Sequence, residues 1–215
     1  MLNLSPSALI QVVIIIVISL TVHEFAHSLA AIRLGDDTPR REGRLTLNPL
    51  RHVDPIGFIM LIIAGFGWAK PVRIDVSKLH KPRRDEILIS LAGPASNLIL
   101  AVLGVFLVWV VLTTSALSSR RALAAFGGFM TELAVINVSL AVFNMIPIPP
   151  LDGSHVLLPF LGKVNPALAA TYFRYGSYLL LAVILFGFVT KVQILPIARL
   201  TYAIVSWMFG LVGIT

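Results

Sequence analysis

His23-Glu24-Phe25-Ala26-His27 sets two imidazoles four residues apart with a carboxylate beside the first. On a helix, positions i and i+4 share one face a turn apart, so both rings can bind one zinc ion. Glu24 can then reach a water on that metal, take its proton and hand it to a leaving amine. Two histidines fall short of a catalytic zinc site, which takes three protein ligands and keeps a fourth position for water. The chain has no cysteine, so disulfides and thiolate ligands are excluded and the third ligand must be His, Asp or Glu. The candidates are His52, His80, His155, Asp54, Glu132 and Asp152. Asp152 is the best placed, at the end of Asn144-Met145-Ile146-Pro147-Ile148-Pro149-Pro150-Leu151-Asp152-Gly153. The prolines unwind a helix there and Gly153 permits a tight turn, so the carboxylate can be presented sideways.

The elements that must hold these groups are membrane helices. Only 13% of the 215 residues are charged, against about 25% in a soluble domain. Mean hydropathy is +0.91. About five apolar spans are expected: 9–31, 87–112, 123–146, 169–189 and 194–213. The first run, from Leu9, continues into the polar motif without a basic leader or cleavage site, so it reads as a retained span. His23, Glu24 and His27 fall inside it, where each ionisable group costs on the order of 2–3 kcal/mol to insert. The competing reading is two histidines satisfied by helix carbonyls, and that insertion cost weighs against it. Between the first two spans, Arg44–Asn48 and Val72–Val76 alternate polar with apolar residues, the period of short half-buried strands. Ile56–Trp68 lies between them and is too short to span, which predicts a re-entrant or interfacial segment. A short amphipathic piece is expected at 153–162. The fold class expected is therefore an all-α integral membrane protein with a small β-strand/re-entrant element after the first span.

Net charge is +7, and most basic residues lie between Arg33 and Arg84. Basic loops beside apolar spans set orientation, whereas nucleic-acid binding favours a soluble basic face, so no nucleic-acid partner is expected. The positive-inside rule makes the 33–84 loop cytoplasmic. The 113–122 loop and Lys191 then lie outside, and 23–27 and 144–153 arrive at one membrane depth, towards the cytoplasmic side.

The combination of motifs resembles the site-2 protease family of intramembrane zinc metalloproteases. HExxH on one span and Asn144-x-x-Pro147-x-x-x-Leu151-Asp152-Gly153 on another stand in the family's order. Gly93-Pro94-Ala95-Ser96-Asn97 is similar to the family's Gly-Pro-x-x-Asn element. The resemblance covers about 9–160 and is to the short form without PDZ or CBS domains. It implies one membrane-embedded peptidase domain over 1–215, with 169–213 as accessory spans. It further implies one Zn2+ held by His23, His27 and Asp152, with Glu24 as the base. The substrate class implied is a transmembrane protein cut within the bilayer, and the location a prokaryotic plasma membrane.

Other polar residues are open to two readings. Asn144 either donates a hydrogen bond to the scissile carbonyl or caps the helix broken at Pro147. Asn97 is expected to brace the site helices. His52 serves either the entrance to the site or nothing beyond the membrane interface. His155 is expected either beside the ligands or at the surface, without being a ligand, Glu132 paired with a polar neighbour, and His80 solvated. Either predicted strand edge could hold an unwound substrate by β-augmentation. The fourth and fifth spans are open to roles as gate or homo-oligomer contact. Among competing functions, a helix-binding pseudoprotease has no need of Glu24. A metal transporter would need polar residues through several spans, and the last two offer almost none. A membrane HExxH peptidase with a soluble chamber takes a Glu as third ligand, and the chain offers no suitable one.

Overall fold

A chain crossing lipid must satisfy its backbone polar groups within the segment, which leaves helices as the solution for long apolar runs. The computed structural model describes residues 5–64, 67–114, 117, 119–190 and 195–214. Four helices are long and apolar enough to cross a membrane: α1 (Pro6–Arg33), α4 (Pro82–Thr114), α5 (Arg120–Asn144) and α7 (Pro166–Thr190). Between them lie α2 (Thr38–Arg41), α3 (Pro55–Ala64) and α6 (Asp152–Val164), and α8 (Ile197–Leu211) follows. The expected bounds of the first four spans fall within a few residues of these helices. The fifth does not follow: α8 has 15 residues, short of the roughly 20 that a span needs. Gly65 and Phe66 of the expected re-entrant segment, parts of the 113–122 loop, and Lys191 lie outside the described residues.

Helix α1 begins where Ser5 caps it: the side-chain oxygen accepts from Ala8 N, and Pro6 occupies the first turn. Its polar and small residues, Ser19, Thr21, His23, Glu24, His27 and Ser28, are buried. Exposed Ile10, Ile14 and Ile18 lie on another face, which is the division expected of a helix with lipid on one side. Helix α4 packs between α1 and α5. Gly104 lets the α5 backbone approach α4, with a Cβ there falling 2.9 Å from the Met130 carbonyl oxygen. Ala101, Val105, Ala134, Val138, Val205 and Met208 form the apolar cluster that joins α4, α5 and α8.

No strand forms among the described residues, which corrects the expected β element. The β-type pairing present is one isolated bridge, Val53 with Ala69. The cause lies in where backbone donors and inward side chains go. Val72 N donates to Glu24 Oε2 (3.2 Å) and Asp75 N to Asp36 Oδ2 (2.7 Å), so two donors of 72–76 go to carboxylates. In the other segment Arg44 turns inward, and Asn48 caps a 3-10 turn at Pro49–Arg51. The strand edge envisaged for β-augmentation is therefore not formed here.

The segment expected to be re-entrant or interfacial holds α3, whose 10 residues reach about 15 Å, too short to span a bilayer core. Ile56, Ile59 and Ile63 are exposed. The chain returns against this helix at Gly57, where a Cβ would lie 3.0 Å from Trp68 N. The two ends of the excursion are tied together. Lys70 N donates to the His52 carbonyl (2.7 Å), and the Arg44 guanidinium donates to the carbonyls of both Arg51 and Lys70. Burial lowers the pKa of Arg44, while the carboxylates of Glu24 and Glu42 oppose that shift. A lysine offers a point charge and cannot span two carbonyls as a planar fork. Arg44→Lys is expected to raise amide hydrogen exchange across 52–70 at least tenfold while α4 and α5 exchange as before. Unchanged exchange across 52–70 would contradict the strap.

Candidate metal centre

Helix α1 delivers the two imidazoles. His23 and His27 are buried, their rings packed edge to face with centroids 4.6 Å apart. Each ring is fixed by what its Nδ1 donates to. His23 Nδ1 lies 2.6 Å from Asn97 Oδ1, and His27 Nδ1 lies 2.7 Å from the Ile89 carbonyl. The Asn97 orientation follows from its other contacts: its Nδ2 donates to Asn137 Oδ1 (2.9 Å). Asn137 Nδ2 in turn donates to Ser19 Oγ (2.8 Å) and the Leu133 carbonyl (2.9 Å). Asn97 Oδ1 is thus an acceptor and His23 Nδ1 the donor. With Nδ1 the donor in each ring, Nε2 is the atom turned to the site, the arrangement by which histidine ligates metals.

The third group arrives from far along the chain. After α5 ends, the proline-rich turn 145–151 leads into α6, and Asp152 is its first residue. A carboxylate in the first turn of a helix is favoured by the unpaired N–H groups there. The turn is held from α7, where Tyr172 Oη donates to the Pro147 carbonyl (2.6 Å).

His23 Nε2 and His27 Nε2 are 3.0 Å apart, with Asp152 Oδ2 3.2 Å from the first and Asp152 Oδ1 3.4 Å from the second. Asp152 Oδ2 is buried without a hydrogen-bond donor. Three lone-pair donors facing one another repel unless a cation lies among them. Their separations match the edge of a tetrahedron with bonds near 2.0–2.1 Å, about 3.3 Å. Gly93 keeps the space free: a Cβ on it would fall 2.6 Å from His23 Nε2 and closer still to His27 Nε2. Donor chemistry, spacing and the cradle all fit zinc.

Glu24 is buried beside this group, its Oε2 accepting from Val72 N at 3.2 Å. His23, Glu24, His27, Asn144 and Asp152 all line one cavity of about 790 Å³ with mostly apolar walls. Asn144 is on this wall, and its Nδ2 donates to Leu140 O of its own helix (3.0 Å). His155 also lines the cavity, with its Nδ1 3.0 Å from Glu86 Oε1. Of the other third-ligand candidates, Glu132 accepts from Gln11 Nε2. Asp54 caps Gly57 N (2.8 Å), and His80 is exposed. Asn137 escaped the sequence reading. Its signal in the sequence is an amide two helical turns before Asn144 in an apolar span, and the structure buries it fully.

The protein-family model described as Peptidase family M50 matches residues 11–188. The chain is 44% identical to YwhC of Bacillus subtilis over 67% of this chain and 66% of that protein. It is 32% identical to Rip2 of Mycolicibacterium smegmatis over 99% of this chain and 80% of that one. A third relative, MJ0611 of Methanocaldococcus jannaschii, is 32% identical over 52% of this chain and 51% of its own. All three relatives are provisionally named zinc metalloproteases. No solved structure shows a significant match. With the family model covering more than half of its length and the HExxH pair converging on one carboxylate, this chain belongs to peptidase family M50, the site-2 protease family.

Proposed function

We propose that the protein is a zinc-dependent intramembrane endopeptidase that hydrolyses peptide bonds within the transmembrane segments of other membrane proteins. The observation that carries this reading is the convergence of His23, His27 and Asp152 beside Glu24, on an apolar cavity among helices long enough to span a bilayer. The three residues hold the zinc. Bound there, zinc supplies a Lewis acid that acidifies water and polarises a carbonyl. Glu24 takes the proton of the attacking water and delivers it to the amide nitrogen as the C–N bond breaks. Asn144 turns from its own helix to donate a hydrogen bond to the scissile carbonyl, a donation within reach of a side chain on the same cavity wall. The chain acts as one peptidase domain in a prokaryotic plasma membrane. A site towards the cytoplasmic face is supported by the basic residues of 33–84, which follow the end of α1 that carries HExxH.

The test is cleavage of a membrane-spanning peptide by the full chain in proteoliposomes. A chelator is expected to abolish cleavage and stoichiometric zinc to restore it, with the cut mapped by mass spectrometry inside the apolar stretch. Cleavage that survives chelation, or that falls only in the water-exposed flanks, would overturn the reading.

A further inference from the structure

One basic cluster has no part in the reaction above. Lys81, Arg83 and Arg84 stand at the start of α4, are exposed, and with Pro82 rim an open hollow of about 450 Å³. Several other cations of the 33–84 loop are engaged: Arg41, Arg73 and Lys78 face carboxylates, and Arg44 bonds two carbonyls. The side chains of Lys81 and Arg83 have no ion pair or hydrogen bond among the described residues. Arg84 meets Asp85 at 4.0 Å, but that carboxylate is buried and also accepts from Lys81 N (2.7 Å). The Arg84 side chain stays 63% exposed. Asp85 thus serves the entry of the chain into α4, and three cationic side chains are left to solvent or lipid. Like charges this close repel one another, a cost that an anion lying among them removes.

The chemistry of that anion follows from the depth of the cluster. Beyond Arg84, the exposed residues Leu88, Ala95, Ile99, Phe106 and Trp109 recur at three- and four-residue steps, which is one face of α4. From Leu88 to Phe106 the helix rises about 27 Å, close to the roughly 30 Å of a hydrocarbon core. Trp109 then falls at the far boundary, where tryptophan is enriched. Arg84 lies one turn before Leu88, about 6 Å further out, and the headgroup region adds about 5–7 Å to each side of the core. The cluster is therefore level with lipid phosphates and heads a stripe that faces acyl chains. We infer that Lys81, Arg83 and Arg84 bind the phosphate of an anionic phospholipid whose chains lie along α4 from Leu88. A phosphatidylcholine brings its own ammonium to the same cations and fits less well. The lipid holds the depth of the helix that also carries the Ile89 carbonyl, Gly93 and Asn97 beside the two imidazoles. The inference needs the chain to be membrane-embedded and stands whether or not it cleaves peptides.

The experiment is native mass spectrometry of the full zinc-loaded chain, released from micelles doped equally with phosphatidylglycerol and phosphatidylcholine of matched chains. The ratio of the two in the first bound lipid is the reading. The parent is expected to favour phosphatidylglycerol about fivefold or more, the scale of one cation beside an anionic lipid. Lys81→Gln/Arg83→Gln/Arg84→Gln should bring the ratio within about twofold of parity, while zinc content stays that of the parent. The charge-keeping Lys81→Arg/Arg83→Lys/Arg84→Lys should retain the preference. The comparison that isolates the site is Arg40→Gln/Arg41→Gln/Arg51→Gln, which removes as much charge from the same loop and should also retain it. Equal loss in both glutamine triples would mean diffuse attraction and overturn the inference, as would a parent without preference or a cluster variant that keeps it. The three single glutamine variants keep the test open if the triple misfolds: each should lower the ratio, and three parent-like singles overturn the site. A last arm adds glycerol 1-phosphate in large excess, at ionic strength matched with sodium chloride. The ratio should not move. Displacement of the lipid by this headgroup fragment would make the cluster a site for soluble anions, against the lipid assignment.

Discussion

Replacing Glu24 with glutamine is expected to lower cleavage of a membrane-spanning peptide by about 10²–10⁴-fold while the chain keeps its zinc. The substitution is nearly isosteric, and an amide oxygen still accepts the Val72 N–H that now reaches Glu24 Oε2 at 3.2 Å. Fold and loop position should therefore hold. Glu24 is also not one of the three converging donors, so metal affinity has no reason to fall. What disappears is basicity, since an amide cannot take the proton of water or deliver it to the leaving nitrogen. The measurement pairs single-turnover cleavage in proteoliposomes with metal content from elemental analysis. Cleavage within tenfold of the parent would remove Glu24 from the proton path. Loss of zinc together with activity would make it a ligand and not a base.

Much of this arrangement was legible in the sequence, for reasons that differ from residue to residue. HExxH reads directly because helix periodicity turns a spacing of four into a shared face. Asp152 reads less directly, through proline, glycine and the depth of two spans, and the family resemblance makes it specific. The four long spans read well because lipid permits little but helix there. The strands at 44–48 and 72–76 misled because alternation reports which side chains are apolar and not which backbone donors are free. Carboxylates of Glu24 and Asp36 take the N–H groups of Val72 and Asp75, a long-range outcome that no local pattern carries. The last apolar run misled in another way. Composition measured its hydropathy, but the helix begins only after Pro196 and stops at Leu211. The amide chain from His23 through Asn97 to Asn137 crosses three helices, so its members stand 40 and 74 residues apart. Asn97 carried a motif to mark it, whereas Asn137 had only its oddity in an apolar helix.

The second large effect is expected from a change that adds one carbon. Gly93→Ala should lower zinc affinity by 10–100-fold or more, the range for losing a residue that orients a metal ligand. In an ordinary helix interior this substitution stabilises by about 1 kcal/mol, so helix propensity predicts the opposite sign. Contact decides otherwise here. The added Cβ would meet His23 Cε1 at 2.5 Å and Nε2 at 2.6 Å, and would press harder on His27 Nε2. Relief requires a ring to rotate or α4 to back away from α1. Rotation breaks either the His23–Asn97 or the His27–Ile89 hydrogen bond, and with it the tautomer that leaves Nε2 free. Separation would pull apart Asn97 and Ser19, where the amide meets the Ser19 carbonyl at 3.4 Å. Asp152→Ala is the informative companion. It removes one donor but leaves both imidazoles oriented, so it too should lose zinc, while the His23 and His27 ring protons keep their hydrogen-bonded NMR signals. In Gly93→Ala at least one of those signals should move before any metal is added. Chelator competition measures the affinities, and parent-like affinity in Gly93→Ala would mean that the two helices yield more easily than their polar contacts imply. If the affinity falls and the ring signal moves, the glycine of the Gly-Pro-x-x-Asn element holds open the space in which the three donors meet, a role set by the absence of a side chain.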